Sequence, residues 1–302
     1  MIACLGLSPA LDLSYGLPAV EVGRIHRPQW VVELAGGKSL NVARALAVLG
    51  TPARAIAPLG GPVGAGMAET LAAAGIEVDR VPVAATRRCV SAFSEADGSV
   101  TEFYEPALPL DEPAWQGLSA AVDRVADGWL AVSGSVPADR VTSLAGLLAG
   151  ASARGVRVAL DVHGPALAAV LASTAVAVVK VNRDEAAELL GEGDAAGLAA
   201  GLRQAGAGLA VVTDGPRGAV AASAAGRLRA VPGERGRYTV GSGDCFLAGL
   251  LHGLARAAEL GDALTLATAA AAANTREPGA ARFSREQVEQ ALPGVTLRSE
   301  EG

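Results

Sequence analysis

Short apolar runs ending in Gly, Ser, Asp or Asn alternate with Ala- and Leu-rich stretches along most of this chain. IACLGLS (residues 2–8) begins as a strand, NVARALAVLG (41–50) reads as a helix closed by Gly50, ARAIAPLG (53–60) as a strand and GAGMAETLAAAG (64–75) as a helix. The rhythm returns at WLAVSGS (129–135), VRVALDVHG (156–164), AVVKVN (177–182) and LAVVTDG (209–215), with Ala/Leu helices between them. Such alternation predicts an α/β fold, a mostly parallel sheet covered by helices on both faces. Ligands in these sheets bind beyond the carboxyl ends of the strands, where the polar residues of these runs fall.

Two segments break the rhythm. GRIHRPQWVVEL (23–34) has no helical stripe, and CVSAFSEADGSVTEFYEP (89–106) reads as two strands around the turn Asp97-Gly98. Neither belongs to a strand–helix–strand unit, so they form either an edge extension of the sheet or a small second sheet lying over the ligand crevice.

Composition narrows the partners. At 302 residues the chain could be one extended α/β core or two domains, and 51% hydrophobic residues suffice for a large core. Only 3% are aromatic and the net charge is -6, which argues against nucleic acid as a partner. Cys4, Cys89 and Cys245 form no C-x-x-C pair, and an odd count without a framework fits a reduced compartment. His26, His163 and His252 are too dispersed to suggest a metal centre. The opening MIACLGLSPALDL lacks the basic flank and cleavage site of a signal peptide, and the apolar stretch at 166–179 is too short for a membrane span. The expectation is a soluble cytoplasmic protein with no membrane partner.

Two familiar phosphate-binding patterns fail. Gly37-Lys38-Ser39 would close a P-loop only if residue 32 were glycine, and it is Val32. Gly191, Gly193 and Ala196 have dinucleotide-fingerprint spacing but follow the helical run EAAELL rather than a strand. TVGSGDCFLAGLLHGLA (239–255) is different. Gly241, Ser242 and Gly243 let the backbone turn tightly, so that N–H groups at the start of the following helix can converge on an anion. Asp244 sits at the entrance to that helix. Local sequence allows two roles: a helix cap, or a base that orients and deprotonates a hydroxyl attacking a phosphoryl group held by those N–H groups.

AGGKSLNVARALAVLG (35–50) and TVGSGDCFLAGLL (239–251) resemble, in this order, the two signature regions of the PfkB-type sugar kinases of the ribokinase-like fold. LSPALDLSY, TRRCVSAF with TEFYEP, SGSVP, LDVHGPAL, VKVNRDEAAELLG and AAAAANTREPGAARFS extend the resemblance over nearly the whole chain. They point to the branch that phosphorylates phosphosugars, typified by 1-phosphofructokinase and tagatose-6-phosphate kinase.

The resemblance implies one domain over residues 1–302, a three-layer αβα sandwich with a small β-sheet lid at about 12–34 and 86–106. It implies that Asp244 is the base and that Gly241, Ser242 and Gly243 form the anion hole. Asp12, Gly37, Asn41 and Ser135 would meet the sugar, and Lys38 and Arg87 the phosphate it already carries. Lys180, Thr213 and Gly215 would lie along ATP. Asn182 and Glu185 would support Mg2+ through water, whereas residue type alone also allows Glu185 to be a solvated charge near a helix N-terminus.

The implied reaction is ATP-dependent phosphorylation of fructose 1-phosphate, the alternatives being tagatose 6-phosphate, fructose 6-phosphate, an unphosphorylated sugar or nucleoside, or binding without turnover. A homodimer formed through the lid is also implied. Three positions depart from the family pattern. Ser39 stands where glycine is common and should place a side chain beside the substrate, Ser8 replaces an asparagine, and Ser242 replaces an alanine.

Overall fold

The computed structural model describes residues 1–300. In chain order the strands are β1 (Ile2–Leu5), β2 (Ala10–Leu17), β3 (Trp30–Gly36), β4 (Ala53–Pro58), β5 (Glu77–Val81), β6 (Arg87–Ser94), β7 (Val100–Tyr104), β8 (Trp129–Ser133), β9 (Arg157–Asp161), β10 (Val176–Asn182), β11 (Ala207–Thr213), β12 (Ala219–Ser223), β13 (Gly226–Val231) and β14 (Thr296–Ser299). The helices are α1 (Lys38–Val48), α2 (Gly61–Ala73), α3 (Glu112–Asp123), α4 (Val141–Ala153), α5 (Gly164–Ser173), α6 (Arg183–Leu190), α7 (Ala195–Gln204), α8 (Ser242–Ala255), α9 (Leu260–Asn274) and α10 (Arg285–Ala291).

Ten strands form the main sheet in the order β14-β13-β12-β11-β10-β9-β8-β1-β4-β5. From β11 to β5 every neighbouring pair is parallel. Beyond β11 the sheet continues through three antiparallel strands that the hydrophobic rhythm did not announce. β11, β12 and β13 follow one another through short turns, so no helix marks them, whereas β14 joins the edge only after α8, α9 and α10 have intervened.

The two faces of the sheet carry different side chains. Cys4, Ala55, Ala131 and Ala159 pave the face that packs with α1, α8 and α9, whereas Leu5, Val132, Leu160 and Val181 belong to the cluster on the α3–α7 side. Alternation along each strand thus produces two cores and three layers. Small residues also bring α8 and α9 close together: Gly249 lies against Ala267, and Gly253 against Ala263.

The segments that broke the rhythm form a second sheet of order β3-β2-β6-β7, so the lid reading holds and the edge-extension reading does not. Its strands begin at Ala10, earlier than expected, and residues 18–29 lie outside them. The turn at Asp97-Gly98 joins β6 to β7 as the pattern required. None of the helices among the described residues is long and apolar enough to cross a membrane.

Candidate active site

The carboxyl ends of β8 to β11, the N-termini of α1 and α8 and the inner face of the lid enclose a cavity of about 580 Å³. Every site residue expected from sequence lines it. Asp12 and Arg87 enter from the lid strands, Gly37, Lys38 and Asn41 from the start of α1, and Ser135 from the turn after β8. Lys180, Asn182, Thr213, Gly215 and Glu185 come from the ends of β10 and β11 and the start of α6, and residues 241–244 from the start of α8.

The turn before α8 decides between the two roles open to Asp244. The N-cap is Gly241, left-handed at φ 78°, and no side chain caps the helix. Asp244 is therefore not a cap. Its Oδ2 accepts a hydrogen bond from Asn41 Nδ2 at 2.8 Å, 203 residues away in sequence. Burial, reinforced by the nearby Asp161 charge, pushes the Asp244 carboxyl up to about 7, against the opposing pull of Lys180, Asn41 and Lys38. A carboxylate with such a pKa is poised for proton transfer near neutral pH.

The same turn presents donors. The Ser242 N–H donates to Thr239 O at 3.1 Å, whereas the N–H of Gly243, a residue that lines the cavity, has no acceptor among the described residues. A Cβ at 243 would come within 2.7 Å of Lys180 Nζ, so a side chain there would push the lysine away from the helix start. Asn274, at the end of α9, braces the turn. Its Nδ2 donates to Val240 O at 2.8 Å and to Ser242 Oγ at 3.2 Å, and its Oδ1 accepts from the Ala281 N–H at 2.7 Å.

Beneath the turn lies a charge chain that centres on Asp161, a residue the sequence reading passed over. Asp161 is fully buried at the end of β9 and accepts from Lys180 at 2.8 Å and from Lys38 at 3.1 Å. Burial disfavours its charge, yet Lys180 and Lys38 together hold it below the usual carboxylate range. Lys38 also donates to Glu185 at 3.0 Å. Burial would lower the lysine's pKa, but Asp161 and Glu185 win and raise it. The available signal was LDV, an aspartate closing an otherwise apolar strand.

Asn182 and Glu185 form a capping box at the start of α6. Asn182 Oδ1 accepts from the Glu185 N–H at 2.8 Å, and Glu185 Oε2 accepts from the Asn182 N–H at 2.9 Å. Glu185 is thus neither isolated nor freely solvated, and its second oxygen serves Lys38. Lys180, expected along the nucleotide, is buried between Asp161 and the Gly243 backbone.

On the lid, Gly36 leaves room for the Asp12 carboxylate, which accepts from the Gly37 N–H at 3.3 Å. Burial pushes Asp12 up to about 6 against Gly37, Arg44 and Arg87. Arg87 donates to Ser8 O at 3.3 Å and Glu105 O at 3.1 Å. Lys38 and Arg87 therefore share the cavity but take different partners. Ser39 corrects the sequence reading: it is 2% exposed, does not line the cavity, and its hydroxyl fills the space above Gly6. The α1 turn points it inward, so this departure puts no side chain beside a ligand.

A paired Asp–Asn at a helix start, free backbone donors beside it and a polar lid suit transfer of a phosphoryl group to a hydroxyl. The model of the pfkB family carbohydrate kinases matches residues 2–287. The chain belongs to this family. It is 36% identical over 307 residues to a 1-phosphofructokinase of Xanthomonas campestris, covering 96% of both chains. To the ATP-dependent 6-phosphofructokinase isozyme 2 of Escherichia coli it is 31% identical over 300 residues, covering 96% of this chain and 97% of the other. A crystal structure of phosphofructokinase-2 from Escherichia coli in complex with potassium superposes with a TM-score of 0.89 at 29% identity, over 97% of this kinase and 99% of the other. The ribokinase-like architecture and the phosphotransferase class expected from sequence are therefore those of the molecule. Arg44 and Asn274, like Asp161, support this kinase's site from positions that sequence reading did not single out.

Proposed function

We propose that this kinase transfers the terminal phosphoryl group of ATP to a hydroxyl of a phosphorylated ketohexose, with fructose 1-phosphate as substrate and fructose 1,6-bisphosphate as product. The observation that carries the reading is the buried Asp244, held by Asn41 beside the unpaired Gly243 N–H in a cavity lined by both lid and sheet. Asn41 restrains Oδ2, which leaves Oδ1 to take the proton of the attacking hydroxyl. As the oxygen–phosphorus bond forms, the bond to the ADP oxygen breaks. The Gly241 and Gly243 amides meet the negative charge on the phosphoryl oxygens in transit.

Asp12 and the Gly37 backbone orient sugar hydroxyls, and Ser135 lines the same space. Arg87 grips the phosphate the substrate already carries. Lys38, positioned by Asp161 and Glu185, supplies positive charge at the junction of sugar and nucleotide. Thr213 and Gly215, at the end of β11, border the nucleotide.

Among the described residues no three His, Cys, Asp or Glu side chains form a metal cage. Glu185 and Asn182 nonetheless supply hard oxygen atoms to the cavity wall, donors that fit Mg2+ held mainly through water and phosphate oxygens. Bound there, the ion would neutralise charge on the phosphates.

The 1-phosphofructokinase relative at 36% identity favours fructose 1-phosphate, and the 6-phosphofructokinase relative at 31% makes fructose 6-phosphate the second reading. ADP release measured over a panel of free and phosphorylated sugars tests the choice. The highest kcat/KM is expected for fructose 1-phosphate, and a maximum with fructose 6-phosphate or a free sugar would overturn it.

A second copy of the chain covering the lid completes the reading. Val31 and Phe103 stand on the lid face turned away from the cavity and are 57% and 61% exposed, an apolar surface that a two-fold partner lid would bury. Sedimentation should give a dimer, and a fully active monomer would contradict it.

A further inference from the structure

Arg44 is the most deeply buried arginine of the kinase, 9% exposed inside the apolar face of α1. It does not line the cavity. Its Nη2 donates to Asn41 Oδ1 at 2.6 Å and to Ala280 O at 2.9 Å, while its Nε has no hydrogen-bond partner. A core that required only packing would carry leucine or methionine here, because a buried guanidinium with an orphan N–H is costly. The residue must be explained by what it holds.

An arginine has donors and no acceptor. The Asn41 atom facing Arg44 must therefore be the amide oxygen, which leaves the NH2 group to face Asp244 Oδ2 at 2.8 Å. Were the amide turned over, oxygen would confront the carboxylate and NH2 the guanidinium, two repulsions at once. We infer that Arg44 is a positioning residue for proton transfer: it locks the Asn41 amide so that Asn41 donates to the Asp244 carboxylate. The same guanidinium tethers Ala280, which packs on Gly241, so one side chain registers both the base and the turn that presents the anion hole.

The other charges around the pair are accounted for. Asp244 is faced by Asp161 from β9, Lys180 from β10 and Lys38 from α1, with Cys245 beside it on α8. Arg44 is faced by Asp12 from β2, Cys245 and Asp244 itself from α8, and Arg282 from the segment after α9. None of these groups is hydrogen-bonded to both Arg44 and Asp244, whereas Asn41 is. A hydrogen bond donated to a carboxylate favours its ionised form. Loss of the lock therefore moves the acid limb of the rate profile to higher pH.

The inference rests on Asp244 being the base. Its test is the pH dependence of kcat/KM for the wild type, Arg44→Lys, Asn41→Ala and the double variant. Arg44→Lys keeps the charge but removes the Nη2 group that reaches both Asn41 and Ala280, and the acid limb is expected to rise by about 0.5 to 1 pH unit. That corresponds to a loss of about three- to tenfold on the limb and little loss above it. In the Asn41→Ala background the same change should move the limb no further. A uniform loss at every pH, or an equal shift without Asn41, would overturn the inference. If Arg44→Lys fails to fold, Arg44→Met takes its place in the same cycle; the loss of the guanidinium's direct charge on Asp244 then appears in both backgrounds, and a shift no larger with Asn41 present than without it would overturn the inference. Retention of both wild-type kcat and acid limb by Asp244→Asn would instead remove the base assignment, whatever the Arg44 variants do.

Discussion

The α8 turn and the lid sheet meet across one cavity but are built on opposite terms. The turn is braced from several sides: Asn274 holds Val240, Ser242 and Ala281, Arg44 holds Ala280, and Asn41 holds Asp244. Asp244, Asn41, Arg44 and Asn274 are buried and hydrogen-bonded there, so the turn's geometry is set by the packed interior. The lid is thin. One face looks into the cavity with Asp12, Ser14 and Ser91, and the other leaves Val31 and Phe103 in solvent.

The lid's distal end reaches the body through Arg237, which makes a two-pronged ion pair with Glu95 at 2.6 and 2.8 Å, and through Tyr238, packed edge-on against Trp30 and Phe93. This contact falls on the segment that leads into the α8 turn. The buried Asp244 thus sits on the braced element, and the thinner lid brings Asp12 and Arg87 to the same cavity.

The comparison is broken most directly at Asp244. Asp244→Asn keeps size and packing but removes the proton acceptor, so kcat should fall by at least about 10²-fold with modest change in KM. Steady-state kinetics checks this, and near-normal kcat would place the chemistry elsewhere.

On the lid side, Arg87→Ala should cost about 2 to 4 kcal/mol in kcat/KM for a sugar phosphate, because a desolvated anion loses its charged partner. The loss should be much smaller for the corresponding free sugar. Equal losses on fructose 1-phosphate and fructose would remove Arg87 from the phosphate while leaving the rigid side intact.

Glu185→Gln should raise the magnesium concentration for half-maximal rate by roughly 10-fold, the scale on which an outer carboxylate tunes a metal site. The capping bond to the Asn182 N–H survives, since an amide oxygen still accepts. An unchanged magnesium titration would confine Glu185 to capping α6 and holding Lys38.

The smallest effect is on stability and has a defined sign. The folded protein raises Asp244 from the ordinary 3.8 to about 7, chiefly by burial, so it favours the protonated carboxyl. That contribution is fully present below pH 3.8 and is lost as pH rises through 7. Asp244→Asn cannot ionise, so it should melt about 2 to 4 °C above the wild type at pH 8 and the difference should close by pH 4. Thermal denaturation across that range checks it, and a variant less stable at pH 8 would mean that the negative charge itself supports the turn.

How much was legible in the sequence differs between these regions. The parallel strands and the helices at 41–50 and 239–255 were readable because apolar periodicity is a local property, and the glycines of the α8 turn because a backbone constraint is written into residue type. The lid hairpin announced itself at Asp97-Gly98. Its start at Ala10 did not, because LSPALDLSY runs on from β1 without a break in pattern. Asp161 was hidden as the last residue of an apolar strand, and Arg44 as one charge on an apolar helix.

By itself the sequence determined the fold class, the rhythm that orders the main sheet, and the pieces of chemistry at the strand and helix ends. Periodicity, glycine and short polar residues act over a few positions, so one chain suffices to read them. Only the tertiary structure decided that Asn41 reaches Asp244 across 203 residues, that Lys38 sits between Asp161 and Glu185, and that Ser39 turns away from the cavity. Those outcomes depend on which side chains share a buried space after distant elements pack, where partners, burial and charge are set by three-dimensional neighbours.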